Sequence, residues 1–127
     1  MRVPDPKAPE VHGVISTSKL IGEVVVDPRG EDLGQIQELV IDARDGRLAY
    51  AIVSFAGFLA RGNKLFVLPW GAFFFSRKEN RLVLNVDKQR LETAPGFDRD
   101  AERPDFADRN WGRRLSTYYD CAPYWAV

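Results

Sequence analysis

The chain has 127 residues, 45% hydrophobic and 28% charged, which is enough to bury one sizeable core and too apolar for a disordered chain. Its 18 basic and 18 acidic side chains cancel, so no whole-molecule field draws it to nucleic acid or an anionic membrane. A single cysteine, Cys121, and a single histidine, His12, exclude an intrachain disulfide and a zinc site built on Cys and His ligands.

Residues 1–15 carry prolines at positions 4, 6 and 9 without apolar periodicity, and are expected to form a disordered lead-in. They lack the apolar core of a signal peptide. The most apolar stretch, Leu65 to Phe75, is too short to span a bilayer and is interrupted by Pro69 and Gly71. The expectation is a soluble, cytoplasmic protein without membrane insertion.

From Ser16 the pattern changes. Strands are expected at Leu20–Val26, Leu33–Ala43 and Arg47–Phe55, separated by Asp-Pro-Arg-Gly and Arg-Asp-Gly turns. Asp45-Gly46 between two strand-like runs is a strong hairpin signal. Arg47–Phe55 is apolar on both faces, which predicts a central strand covered on both sides. Further strands are expected at Lys64–Trp70, Ala72–Ser76 and Arg81–Asp87. In the last, Leu82, Leu84 and Val86 alternate with Arg81, Val83 and Asn85, the period of a half-buried strand. Six short strands without long intervening helices imply an all-β fold, a small antiparallel barrel that hides its edges by closing. A short helix is expected at Asp87–Ala94, stopped by Pro95-Gly96, followed by a polar linker at 96–104. The C-terminal segment predicts a helix capped by Asp105 or Asp108, with Trp111, Leu115 and Tyr118 or Tyr119 on one face. Gly112 weakens that helix. The organisation is thus a lead-in (1–15), a barrel domain (16–95) and an extension with a short helix (96–127).

Catalytic material is sparse. The segment Gly57 to Trp70 has glycines and Lys64, but Leu65 and Phe66 continue it as a strand, so no helix N-terminus follows to hold a phosphate. It reads as a hairpin loop with an apolar tip, Phe58 and Leu59, which either folds over the barrel end or meets a partner. The carboxylates Asp27, Glu31, Asp32, Glu38, Asp42 and Asp45 stand mostly in turns, where Asp caps backbone N–H groups. No catalytic, cofactor-binding or metal-ligating residue is assigned, and no enzyme activity is expected. Arg109, Arg113 and Arg114 flank Trp111, the arrangement of a base-stacking surface, but Asp105, Asp108 and Asp120 lie close by and offset it.

Several segments carry a resemblance. Ser-Lys-Leu-Ile-Gly at residues 18–22, Asp-x-x-Gly-Glu-x-Leu-Gly-x-Ile from Asp27 to Ile36, Val40 to Val53 and Lys-Leu-Phe-Val-Leu-Pro-Trp from Lys64 to Trp70 resemble the PRC-barrel family over residues 16–95. The tail resembles the extension of short, stand-alone bacterial members. The resemblance implies a small, mostly β barrel that works as a docking module, as in the cytoplasmic domain of the photosynthetic reaction-centre H subunit and the C-terminal domain of a ribosome-maturation factor. It supplies no active-site set. The expected function is therefore a protein-interaction or assembly module, self-associating as a homodimer; the alternative is an RNA- or small-ligand-binding barrel. The candidate surface comprises Phe58, Leu59, Trp70, Phe73, Phe74, Phe75, Trp111, Arg113, Arg114 and Tyr118. Three consecutive phenylalanines cannot share one face of a strand, so at least one needs cover from the helix or another chain.

Overall fold

A computed structural model describes residues 15–76, 78 and 80–126. The lead-in to residue 14, with His12, and the Phe58 side chain lie outside the described residues.

The chain begins with a helical turn, α1 (Thr17–Leu20), which Ser16 caps by accepting the Ser18 N–H. The strand expected from Leu20 therefore starts later, as β1 (Val24–Val26). Next come β2 (Asp32–Asp42) and β3 (Arg47–Phe55), joined at Asp45-Gly46, where Gly46 adopts φ +76°. Asp42 and Arg47 close the ladder of this hairpin. β3 is buried without interruption from Ala49 to Val53, as a strand flanked on both sides must be.

A short 3₁₀ turn at Gly57–Leu59 leads to β4 (Lys64–Pro69). A second, Trp70–Ala72, carries the chain away from β4 into β5 (Phe73–Ser76), which pairs with β6 (Arg81–Leu84). After α2 (Lys88–Glu92), capped by Asp87, the polar linker contributes a two-residue strand, β7 (Phe97–Asp98). α3 (Arg109–Tyr118) follows, capped by Asp108, whose carboxylate accepts the Asn110 and Trp111 N–H groups at 2.9 and 3.3 Å.

The strands form one sheet of order β5-β6-β1-β2-β3-β4-β7. This is a mostly β structure with a C-terminal helix, and it corrects the sequence reading in three respects. Among the described residues there are seven strands, because β7 adds to β4 through Leu65–Phe97 and Lys64–Asp98. One ladder, β1 with β6, is parallel. The turn at Trp70–Ala72 does not fold β5 back onto β4, so the β5–β6 hairpin comes to rest beside β1 instead. Finally, β5 and β7 stand as edges not hydrogen-bonded to each other.

The core includes Tyr50, Ile52, Phe66, Leu68, Leu82 and Leu84. The β3–β4 register sets Tyr50 and Ile52 on one face and Phe66 and Leu68, with Val53 and Ala51, on the other, so both faces of these strands are buried. Val83, expected on a solvent face, is buried, because the β1 ladder sets it beside Val26 and the β5 ladder beside Phe74. Leu20, Val26 and Val83 are buried apart from the principal cluster. Among the described residues, no helix is long and apolar enough to cross a membrane.

Candidate functional site

The β2–β3 hairpin and the C-terminal extension meet at a groove of about 900 Å³, lined chiefly by Asp42, Arg44, Tyr50, Phe106, Arg109 and Tyr124. Each wall has a local cause. β3 places Tyr50 on the face it shares with Ile52 and Val67, and the tail closes over it. Trp111 and Tyr124 meet the Tyr50 ring edge-on at 5.3 and 5.7 Å, and Phe106 lies at 6.2 Å. Such edge-to-face pairs each contribute about 0.5–1.5 kcal/mol beyond burial.

The tail is fastened at the hairpin end. Tyr124 donates its hydroxyl to Asp42 Oδ2 at 2.6 Å, and Arg47 Nη1 donates to the Tyr124 carbonyl at 3.0 Å. Arg44 grips the same carboxylate with Nε and Nη2 at 3.1 and 2.9 Å, and its backbone N–H adds a third bond at 3.0 Å. The Arg44 guanidinium, then the Tyr124 hydroxyl and the Arg44 N–H, hold the Asp42 carboxyl well below the usual carboxylate range. A carboxylate bound by this many donors is a weak proton acceptor. The Tyr50 phenol is pushed up to about 12 by burial and by the neighbouring Tyr124. Its Oη is buried without a hydrogen-bond partner among the described residues. It is directed at Gly112 of α3, where a Cβ would stand 2.5 Å away. Burial and Asp120 push the Cys121 thiol up, which favours its protonated form. The groove thus presents aromatic faces, with Arg44 and Arg109 among its lining residues.

The structure distributes the candidate surface residues over several places. Leu59, at the apolar loop tip, is folded into the core. Beside that loop, Arg61 lies 4.5 Å over the Phe66 ring and donates to the Ala94 carbonyl. Trp70 stacks on Phe73 at 5.3 Å, and Phe73 is buried. Phe75 packs half-buried against the core, while Phe74 between them is 48% exposed. Trp111 joins the groove cluster. Tyr118 sits at the C-terminal end of α3, where its hydroxyl donates to the Arg90 carbonyl at 2.7 Å and Arg90 donates back to the Tyr118 carbonyl. Arg113 and Arg114 are exposed; Arg113 bonds Asn110 Oδ1 at 2.8 Å and, with Arg109, lies over the Trp125 ring.

Sequence reasoning did not single out Tyr50, Arg44, Phe106, Tyr124 or Trp125. The usable signal was Gly112, a glycine inside an otherwise good helix, which marks a close approach. Asp42 was read as a turn residue, and its carboxylate does serve the turn through the Arg44 N–H.

The family model described as PRC-barrel domain matches residues 12–91, which spans α1 to α2 and stops short of β7 and α3. No curated protein matches the chain.

Proposed function

Since the chain belongs to the PRC-barrel domain family, we propose that it is a non-enzymatic protein-interaction module of the cytoplasm that assembles with itself. The observation that carries this reading is the uneven covering of its sheet. The extension closes the β3–β4 side over Tyr50, whereas the β5 side keeps a large aromatic, Phe74, in solvent. Exposed apolar side chains beside a sheet edge are characteristic of surfaces that meet another chain. Sedimentation velocity over a wide concentration range tests it. Mass rising from monomer towards dimer is expected, and a monomer at every concentration defeats self-association.

A second reading, an RNA or small ligand in the groove, is favoured by the groove's volume and by Arg44 and Arg109 at its rim. Gel-shift titration at several salt concentrations separates the two, because phosphate contacts give a steep salt dependence. No binding at low salt removes the RNA alternative.

A further inference from the structure

We infer that the groove between the β2–β3 hairpin and the C-terminal extension takes a flat aromatic carboxylic acid, with its ring against Ile41 and its carboxylate on Arg109. The inference rests on the small-ligand alternative above, to which it gives a chemical class, and is independent of self-association.

The groove is apolar at positions where water favours polar side chains. Ile41, 58% exposed, is the most exposed large apolar side chain among the described residues, and Val40 beside it is half-buried. Neighbours along a strand ordinarily point to opposite faces. Here both line one groove, where the β2–β3 ladder slips between them. Val40 faces Tyr50, whereas Ile41 faces Leu48, so Ala49 is the extra residue. Bulges re-aim side chains in this way, and they are over-represented next to active sites. Phe106, half-buried, and Ala107, exposed, line the groove from the extension. Its volume of about 900 Å³ falls within the range of small-molecule sites, about 300–1,000 Å³.

Most polar groups around the groove are committed elsewhere. Asp42 Oδ1 accepts from the Arg44 N–H and Nε, and its Oδ2 from Arg44 Nη2 and Tyr124. The Tyr50 hydroxyl is directed at Gly112. Asp105 and Asp108 each turn Oδ1 to backbone N–H groups. Arg109 is the exception. Its guanidinium lies 5.0 Å over the Trp125 ring, and no oxygen among the described residues accepts a hydrogen bond from it. A guanidinium has five N–H donors in a planar fork and no acceptor, so its complement is a group with two oxygens side by side.

Charge favours the same choice. Asp42 is paired with Arg44 at 2.9 Å, and Asp45 with Arg47 at 3.6 Å. Asp108 caps the amino end of α3, whose partial positive charge offsets it. Asp105 and Asp120 remain, against the exposed Arg113 and Arg114 of α3. Arg109 is left over, and it lines the groove. An acid is therefore preferred there over a neutral or cationic molecule of the same shape.

The test titrates the full chain with 2-naphthoate, 2-naphthylmethanol and 2-naphthylmethylamine, followed by NMR amide shifts. Saturable shifts are expected at residues 40–44 and 106–109, which line the groove. The acid should bind about tenfold more tightly than the alcohol, as a charge-assisted hydrogen-bonded pair would make it, and the amine most weakly. Arg109→Gln should bring the acid down to the level of the alcohol, and Ile41→Ser should weaken all three. Both side chains are exposed, so the variants should keep the wild-type unfolding midpoint. An alcohol or amine that binds as tightly as the acid, or an acid preference that survives in Arg109→Gln, overturns the carboxylic acid and leaves the small-ligand reading standing. Absence of saturable shifts in the groove with all three probes, or affinities untouched by Ile41→Ser, overturns both.

Discussion

At Gly112, helix propensity and packing pull in opposite directions. Alanine in place of a helical glycine gains about 1 kcal/mol of propensity. Here the added Cβ would meet Tyr50 Oη at 2.5 Å and Trp125 Cη2 at 2.9 Å. Tyr50 is 2% exposed and held by Phe106, Trp111 and Tyr124, so its ring has nowhere to move. Overpacking of this kind costs about 1–3 kcal/mol, which outweighs the propensity gain. Gly112→Ala is therefore expected to lower stability in urea unfolding by up to about 2 kcal/mol. Tyr50→Phe removes a buried hydroxyl that has no partner, so it should be neutral or stabilising. In that background the cost of Gly112→Ala should fall by half or more, and an unchanged cost would show that the hydroxyl is not what the glycine accommodates. Asp42 yields a pH prediction. Its folded pKa is depressed by Arg44 and Tyr124, so protonation favours the unfolded chain. Its contribution is complete above the ordinary carboxylate value of about 4 and is lost as the pH falls from there towards the depressed one. Thermal melts of Tyr124→Phe, which keeps the ring but loses the hydroxyl bond to Asp42, should show a shallower fall in Tm below about pH 4 than the wild type. Parallel curves would mean that the bond contributes nothing to acid stability.

Among the elements, those with their own periodicity or cap were legible in the sequence. β2 and β3 follow from β-branched runs around Asp45-Gly46, and α2 and α3 from Asp87 and Asp108 at their starts. What stayed hidden depends on partners distant in the chain. β7 has two residues in a charged stretch, too few for any alternation, and is a strand because β4 offers an edge at Lys64 and Leu65. The parallel β1–β6 ladder is likewise a choice between strands more than fifty positions apart, on which hydrophobic patterning is silent. α3 illustrates a subtler limit. Its aromatic residues suggest a face through Trp111, Leu115 and Tyr118 or Tyr119, of which Leu115 and Tyr119 are buried; the helix also buries Gly112 and Ser116, while Trp111 and Tyr118 are half-buried. A glycine and a serine add nothing to a hydrophobic stripe, but the missing Cβ of Gly112 lets the helix sit close on Tyr50. The groove was missed for the same reason. Its centre, Tyr50, looks like any apolar strand residue until the tail is laid over it.

Taken as a whole, the molecule divides its core between a family domain and an extension outside the family match. Residues 12–91 carry the match, but the principal cluster also takes in Phe97, Phe106, Trp111, Leu115, Tyr118, Tyr119 and Tyr124. The extension is secured at both ends, by the Arg103–Glu38 ion pair with Nη1–Oε1 at 2.9 Å and by Tyr124 on Asp42. Removing residues 97–127 would leave the β4 edge at Leu65 unpaired and uncover Tyr50. Burying one large apolar side chain is worth about 1.5–3 kcal/mol, and a domain of this size has only about 5–15 kcal/mol in total. Losing several such contacts at once is enough to consume that margin. A chain ending at residue 96 should therefore lose its near-ultraviolet circular dichroism, bind a hydrophobic dye and unfold without a sharp transition, while retaining much of its far-ultraviolet signal. Cooperative unfolding at the wild-type midpoint would mean that the barrel segment is self-sufficient and the extension a separate addition. If instead the extension is integral, as its place in the core implies, it cannot swing away to uncover the β3–β4 side without partly unfolding the domain. For the proposed interaction role, the surfaces available are then those the extension does not touch, such as the exposed Phe74 on β5.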